Sequence, residues 1–357
     1  MNKSLIANFI NLAKIDSPTG QENELIEFLI NNLIKKVDFI TQDSYRNIYA
    51  RLDGKGEPIF FSFHLDTVEP GRNIKPKINN KHLVASTKTI LGADNKSAIA
   101  CVLETIKYIK LKQLKHNPLE LIFTRSEEVG NYGAINFDYS LLQARRGFCF
   151  DSSNPVGTIV IASPFYERFD LEIIGQEAHA SKPEEAINAL TIFNDILNNI
   201  TLGRLDKETI FNIGVIKSGY TRNTVPGIIN IKGEIRSFNE NKLEKHKKLF
   251  FKKIETIISR HHASHSIEFI RENSGYQHNR FRNFRIINQL KTVIKNCGLS
   301  PCLINSWGVS DANIFMDKGL ICFNLGNGVE FPHTTRERIK LSEMENLVKL
   351  MVKLLTF

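Results

Sequence analysis

Ile59-Phe60-Phe61-Ser62-Phe63-His64-Leu65-Asp66 is an apolar run of strand length that ends on an imidazole and a carboxylate. The run is too short for an ordinary helix and too apolar for a half-solvated strand, so Ile59 to Phe63 reads as a strand buried inside a sheet. Leu119 to Phe123 repeats the pattern, and Gly147 to Phe150 is a shorter apolar run ending at Asp151. Between the first two strands, Ala98 to Leu111 has helical spacing. This rhythm predicts an α/β domain with a largely parallel central sheet and helices on both faces. Such sheets bind ligands at the carboxyl ends of their strands. His64, Glu127, Glu128 and Asp151 all fall just after an apolar run.

Working outward, Leu5, Phe9, Ile10 and Ala13 recur at helical spacing until Asp16-Ser17-Pro18-Thr19-Gly20 breaks the helix, and a second helix carries Leu25 to Ile34. From about Ser163 the pattern changes. Phe169 to Ile174 is a strand, Pro183 to Ile200 a helix, and Ile210 to Ile216 and Ile228 to Ile235 are strands. Leu243 to Ile258 is a helix and Ser266 to Ile270 a final strand. Strand-helix-strand-strand-helix-strand is the ferredoxin-like α+β unit. The expected organisation is one domain from residues 1–163 and 272–357, with a second inserted at 164–271. A helix near Phe284 to Ile294 and the His333 region return to the first.

The chain has 357 residues, 42% hydrophobic and 24% charged, the profile of a globular protein with a sizeable core. No apolar run reaches the ~18 residues of a membrane span, and the amino-terminal residues lead into an amphipathic helix, not the apolar segment of a signal peptide. Five scattered cysteines without a CxxC pair read as thiols in a reducing cytoplasm. The net charge of +9 is spread along the chain with no aromatic-basic RNA motif, which argues against nucleic acid.

Five stretches carry chemistry: His64-Leu65-Asp66, Gly92-Ala93-Asp94-Asn95, Glu127-Glu128, Asp151 and Pro332-His333-Thr334. Each has a bland reading when taken alone. His64 and Asp66 fit any capped strand end, Gly92 to Asp94 fits a helix N-cap, and Glu127-Glu128 fits a solvated pair. Together they describe two metal ions sharing the carboxylate of Asp94, held in a strained peptide such as a non-proline cis bond. Glu128 ligates while Glu127 stays free as proton shuttle, and Asp66 braces His64. All donors are oxygen or imidazole nitrogen, a set that suits Zn²⁺ and tolerates Co²⁺ or Mn²⁺. Two such ions about 3.5–4 Å apart polarise a carbonyl and activate water. His261, His262 and His265 have no acidic partner in sequence and read as a solvated helix end.

With His64-Leu65-Asp66-Thr67-Val68, Leu91-Gly92-Ala93-Asp94-Asn95-Lys96, Glu127-Glu128-Val129-Gly130, Phe150-Asp151-Ser152-Ser153, Gly175-Gln176-Glu177-Ala178-His179-Ala180 and His333-Thr334 with Glu337, nearly the whole chain resembles the di-zinc metallopeptidases of the family of peptidase T, glutamate carboxypeptidase, acetylornithine deacetylase and aminoacylase. Thr67 to Gly71 and Ile74-Lys75-Pro76 resemble the peptidase T-like branch. The resemblance implies one zinc on His64, Asp94 and Asp151, and the other on Asp94, Glu128 and His333, with Glu127 as base and later acid. It further implies a lid and homodimerisation role for the inserted domain and an oxyanion contact for His179. Asn223 and Arg236 would grip the substrate, although Arg236 read alone is a strand-end surface residue. Where the family often has Gly-Gly-Ser/Thr-Asp, this chain has Gly308-Val309-Ser310-Asp311, which puts the specificity of a substrate loop in question.

The expected activity is a cytosolic metal-dependent peptidase acting on di- or tripeptides or as an aminopeptidase. An N-acyl-amino-acid deacylase on the same machinery is the alternative, and a non-catalytic peptide-binding protein the second.

Overall fold

The computed structural model describes residues 2–278 and 283–356; residues 1, 279–282 and 357, which belong to the ranges expected for the first domain, lie outside these. The chain divides into two compact units, one of residues 1–161, 278–306 and 310–357, the other of residues 162–277 and 307–309.

In the first unit the strands Leu119–Thr124, Ile59–His64, Arg146–Ser152 and Ile321–Gly326 lie side by side in that order, all parallel. Ile48–Leu52 and Phe39–Gln42 extend one edge and Thr158–Ser163 the other, antiparallel. Strand alternation sorts the side chains by face. Ile59, Phe61, Phe63, Leu119, Leu121, Phe123, Phe148 and Phe150 enter one core with residues of the helices Asn2–Ala13, Asn23–Leu33, Ala93–Lys112, Phe284–Asn296 and Leu341–Thr356. Phe60, on the opposite face, meets Phe315 of the helix Asp311–Asp317 at 5.1 Å between ring centroids. The sheet thus has helices on both faces, as the strand-helix rhythm implies. On Phe60's side lie His64, Thr124, Cys149 and Asp151, so the parallel strands deliver their last polar residues to one face at one end.

The helix Ala93–Lys112 begins five residues before the periodic stretch at Ala98, because its first turn carries Asp94 and buried Asn95, Lys96 and Ser97, which have no apolar periodicity. The Asp94–Asn95 peptide is cis, in keeping with the sequence reading. A small antiparallel sheet of Val329–Glu330, Arg338–Lys340, His82–Ala85 and Pro76–Asn79 has no counterpart in that reading. Its strands are too short to show alternation. It joins the segment around His333 to the one leading into Asp94.

The second unit is an antiparallel sheet ordered Thr209–Ser218, Ile228–Ser237, Phe165–Ile174 and Ser264–Asn273, with the short strand Gly203–Arg204 outside the first. The helices Ala189–Asn199 and Glu240–Arg260 contribute to its core. This is the ferredoxin-like arrangement. The single helix expected over Pro183 to Ile200 is divided: Pro183–Glu185 is one 3-10 turn, Ala186 is extended, and Asn188 caps the helix through Leu190 and Thr191 N–H. A strong N-cap inside the run outweighs continuous propensity.

Gly147 lies against Phe60, where an added Cβ would fall 2.3 Å from the ring. Gly147→Ala is expected to lower unfolding free energy by about 1–3 kcal/mol through overpacking, read from urea denaturation.

Candidate metal centre

His64 is 3% exposed, and its Nδ1 lies 2.9 Å from the Asp66 carbonyl. A carbonyl only accepts, so Nδ1 donates to it, and Nε2 faces Asp151 Oδ1 at 3.3 Å and Asp94 Oδ1 at 3.5 Å as the nitrogen left for a metal once its proton is lost. That is the tautomer a metal-ligating histidine needs. On the other side of Asp94, Oδ2 lies 3.8 Å from His333 Nε2, which is 3.1 Å from Glu128 Oε1. Ligand atoms of His64, Asp94 and Asp151 lie within 4.8 Å of one another, as do those of Asp94, Glu128 and His333, and of His64, Glu127 and Glu128. All six side chains converge, and Asp94 faces both ways.

The electrostatics fit cations. Burial first, then repulsion from Asp94, pushes Asp151 up to about 7, although His64 opposes the shift. Burial and the charge on Asp151 hold Glu127 well above the ordinary carboxyl value. Burial disfavours charge on His64, yet the carboxylates of Asp151, Asp66 and Asp94 around it outweigh this and raise its pKa well above normal. Hydrogen bonding to Glu128 lifts His333 to about 9 against the effect of burial. These four groups shift toward positive charge or neutrality, as expected where buried carboxylates crowd together. Asp94 Oδ1 is buried with no hydrogen-bond partner, a costly state that a cation beside His64 and Asp151 would relieve. The residues therefore fit divalent ions.

The carboxylate of Asp66 accepts from Thr19 Oγ1 at 2.7 Å, Glu127 N at 2.9 Å and Glu128 N at 3.2 Å. Its bracing of His64 runs chiefly through its main-chain carbonyl, since its Oδ1 stands 3.6 Å from Nδ1. Asn95 Nδ2 donates to Phe150 O and to Asp151 Oδ1, fixing that carboxylate.

Several residues outside the sequence-derived set support the site. Glu337 Oε2 accepts from Leu91 and Gly92 N–H at 2.7 and 2.9 Å, and its Oε1 from Asp94 N–H at 3.0 Å. Buried Glu22 accepts from Ser126 N–H and pairs with Arg125 at 2.7 Å, anchoring the turn into Glu127. Fully buried Lys96 donates to Ile15 O at 2.7 Å. Glu337 stands four residues after His333 and Lys96 two after Asp94, each legible as part of its motif; Glu22 carries no signal beyond being charged.

His179, Asn223 and Arg236 belong to the second unit. Ser181 N–H donates to His179 Nδ1, which leaves Nε2 as the protonated, donating nitrogen of an exposed ring. Asn223 is exposed, and its carbonyl accepts from Ala180 N–H. Arg236 is engaged within its own unit, 3.1 Å from Glu234, bonded to Trp307 O and 4.3 Å over the Tyr166 ring.

Comparison with known proteins supplies relatives. Residues 167–262 match the M20 model described as "Peptidase dimerisation domain", and residues 47–182 the model "Peptidase family M28". The uncharacterized protein YqjE of Bacillus subtilis is 32% identical over 368 residues, covering 99% of this chain and 98% of that protein. The crystal structure of aminopeptidase PepT from Bacillus cereus is 31% identical with a TM-score of 0.91, covering 100% of this chain and 98% of the other. A tripeptidase structure from Staphylococcus aureus is 29% identical with a TM-score of 0.96 at the same coverage.

Glu337→Gln sets an amide donor against three main-chain N–H groups. Affinity for divalent metal is expected to fall about 10–100-fold, as for other residues that orient ligands, measured by chelator competition on folded protein.

Proposed function

The chain belongs to the M20 metallopeptidases, in their peptidase T-like branch, and from that premise we propose how this metal-dependent peptidase divides the work of hydrolysis among its side chains. The observation that carries the proposal is the two-faced carboxylate of Asp94, with His64 and Asp151 on one side and Glu128 and His333 on the other. In this reading His64, Asp94 and Asp151 hold one ion, and Asp94, Glu128 and His333 the second. The all-oxygen and imidazole donor set favours Zn²⁺ and accommodates Co²⁺ or Mn²⁺. Bound ions of this kind supply Lewis acidity toward a peptide carbonyl and acidify water.

The remaining steps fall to the protein. Glu127 stands outside both ligand sets yet lies within 4.8 Å of ligand atoms of His64 and Glu128. It takes a proton from the attacking water and returns it to the leaving amine. A carboxyl raised above its usual value does both better than an ordinary one at neutral pH. Asp66 holds the backbone of Glu127 and Glu128, keeping the base in register with the ligands. His179 supplies an exposed imidazole N–H of the kind that steadies an oxyanion, and Asn223 and Arg236 supply amide and guanidinium groups suited to a peptide's polar atoms.

The proposed substrates are short peptides with a free amino terminus, in line with the aminopeptidase and tripeptidase names of the similar structures. The first unit would be the catalytic domain. The second, carrying the dimerisation match, would serve as lid and join two copies of the chain. Unpaired cysteines fit a reducing cytoplasm.

Metal-loaded protein should hydrolyse members of a di- and tripeptide panel and leave N-acetyl amino acids nearly untouched. Glu127→Ala should lose at least about 10²-fold in kcat while retaining metal. Full activity of that variant, or preference for N-acetyl substrates, would overturn the assignment. Light scattering should give twice the chain mass; a monomer at micromolar concentration rejects the homodimer.

A further inference from the structure

Asn131 sits in left-handed conformation (φ 57°) just before the short helix Tyr132–Ile135, where an asparagine ordinarily caps through its side chain. Here the side chain makes no cap and is 1% exposed. Its Nδ2 donates to Glu127 Oε1 at 2.8 Å and to Asp311 Oδ1 at 3.1 Å. Asp311, 4% exposed at the start of the helix Asp311–Asp317, receives Thr124 Oγ1 on its other oxygen at 2.5 Å. Thr124 ends the central strand Leu119–Thr124. A continuous chain of hydrogen bonds therefore runs from the sheet through Asp311 and Asn131 to the carboxylate of Glu127.

The orientation of the Asn131 amide follows from its neighbours. Ionised carboxylates only accept, so the NH₂ end faces both flanking groups. Asp311 uses one N–H and thereby aims the second at Glu127. We propose that Asn131 is a positioning residue for Glu127, and that Asp311 sets the direction of its amide. This rests on Glu127 being the base. The cost of misplacing such a group is large, because a displacement of about 1 Å can remove about 10²-fold in rate.

Asn131→Gly removes the amide and tolerates the positive φ. In the metal-loaded enzyme its kcat should fall about 10–100-fold with KM within about threefold, while metal content and melting temperature stay at wild-type values. A crystal structure of the variant should show the Glu127 carboxylate turned from its present direction, a readout independent of turnover. Asp311→Asn still offers an oxygen to Asn131 and should keep kcat within about threefold of wild type, whereas Asp311→Ala should follow Asn131→Gly. The proposal fails if Asn131→Gly retains wild-type kcat, if its loss tracks lost metal, if Glu127 keeps its direction, or if Asp311→Asn falls as far as Asp311→Ala. A wild-type enzyme inactive on all peptides would refute the peptidase reading instead, leaving the Glu127 direction to decide this one.

Discussion

Mutual repulsion of carboxylates confined at one end of a parallel sheet is the constraint on which the rest of the first unit depends. Among the described residues, Asp66, Asp94, Glu127, Glu128, Asp151 and Asp311 gather around the imidazoles of His64 and His333. In a buried setting such charges interact strongly, and they neutralise or attract cations. Burial first, and then that repulsion, shifts Asp151 and Glu127 upward. The fold sustains the cluster because each strand presents its last polar residue on the face away from the large core, while Phe61, Phe63, Phe123 and Phe150 secure the opposite face.

Repulsion would open the site unless the backbone carrying these groups were fastened, and the fastening is consistent across it. Three buried carboxylates outside the two candidate ligand sets hold the surrounding loops by their main-chain N–H groups. Asp66 holds Glu127 and Glu128, Glu22 holds Gly20 and Ser126, and Glu337 holds Leu91, Gly92 and Asp94. Charge-assisted bonds to backbone are stronger than neutral ones and fix position without competing for the cation site. Negative charge thus recurs around a centre that is already negative, and bound cations would favour both shells together.

Sequence patterning made the sheet legible because Ile59 to Phe63 and Leu119 to Phe123 are long enough and apolar enough to read directly. The ferredoxin-like order of the second unit followed from its alternating strands. The break at Ala186 did not, since Pro183 to Ile200 looks continuously helical until the Asn188 cap forms. The sheet joining Val329–Glu330 to His82–Ala85 was invisible for a different reason: pairs of two to four residues leave no period. Among site residues, those in short acidic or histidine motifs could be named in advance. Asn131 could not, because an asparagine after a glycine reads as a turn, and only the fold shows its amide turned inward.

Glu127 and Glu128 show how one fold gives different environments to chain neighbours of identical chemistry. Their backbone N–H groups share one acceptor, Asp66, so the peptide is held as a unit. Their side chains then diverge: Glu128 reaches His333 at 3.1 Å, while Glu127 meets the Asn131 amide at 2.8 Å. An imidazole that can itself bind metal would direct one carboxylate toward ligation. The amide NH₂ of Asn131, which donates and cannot bind metal, would keep the other in place without drawing it into the ligand sets around Asp94. The distinction between ligand and base would then lie in the second partner each carboxylate meets, which is why a bare Glu-Glu pair in sequence cannot say which is which.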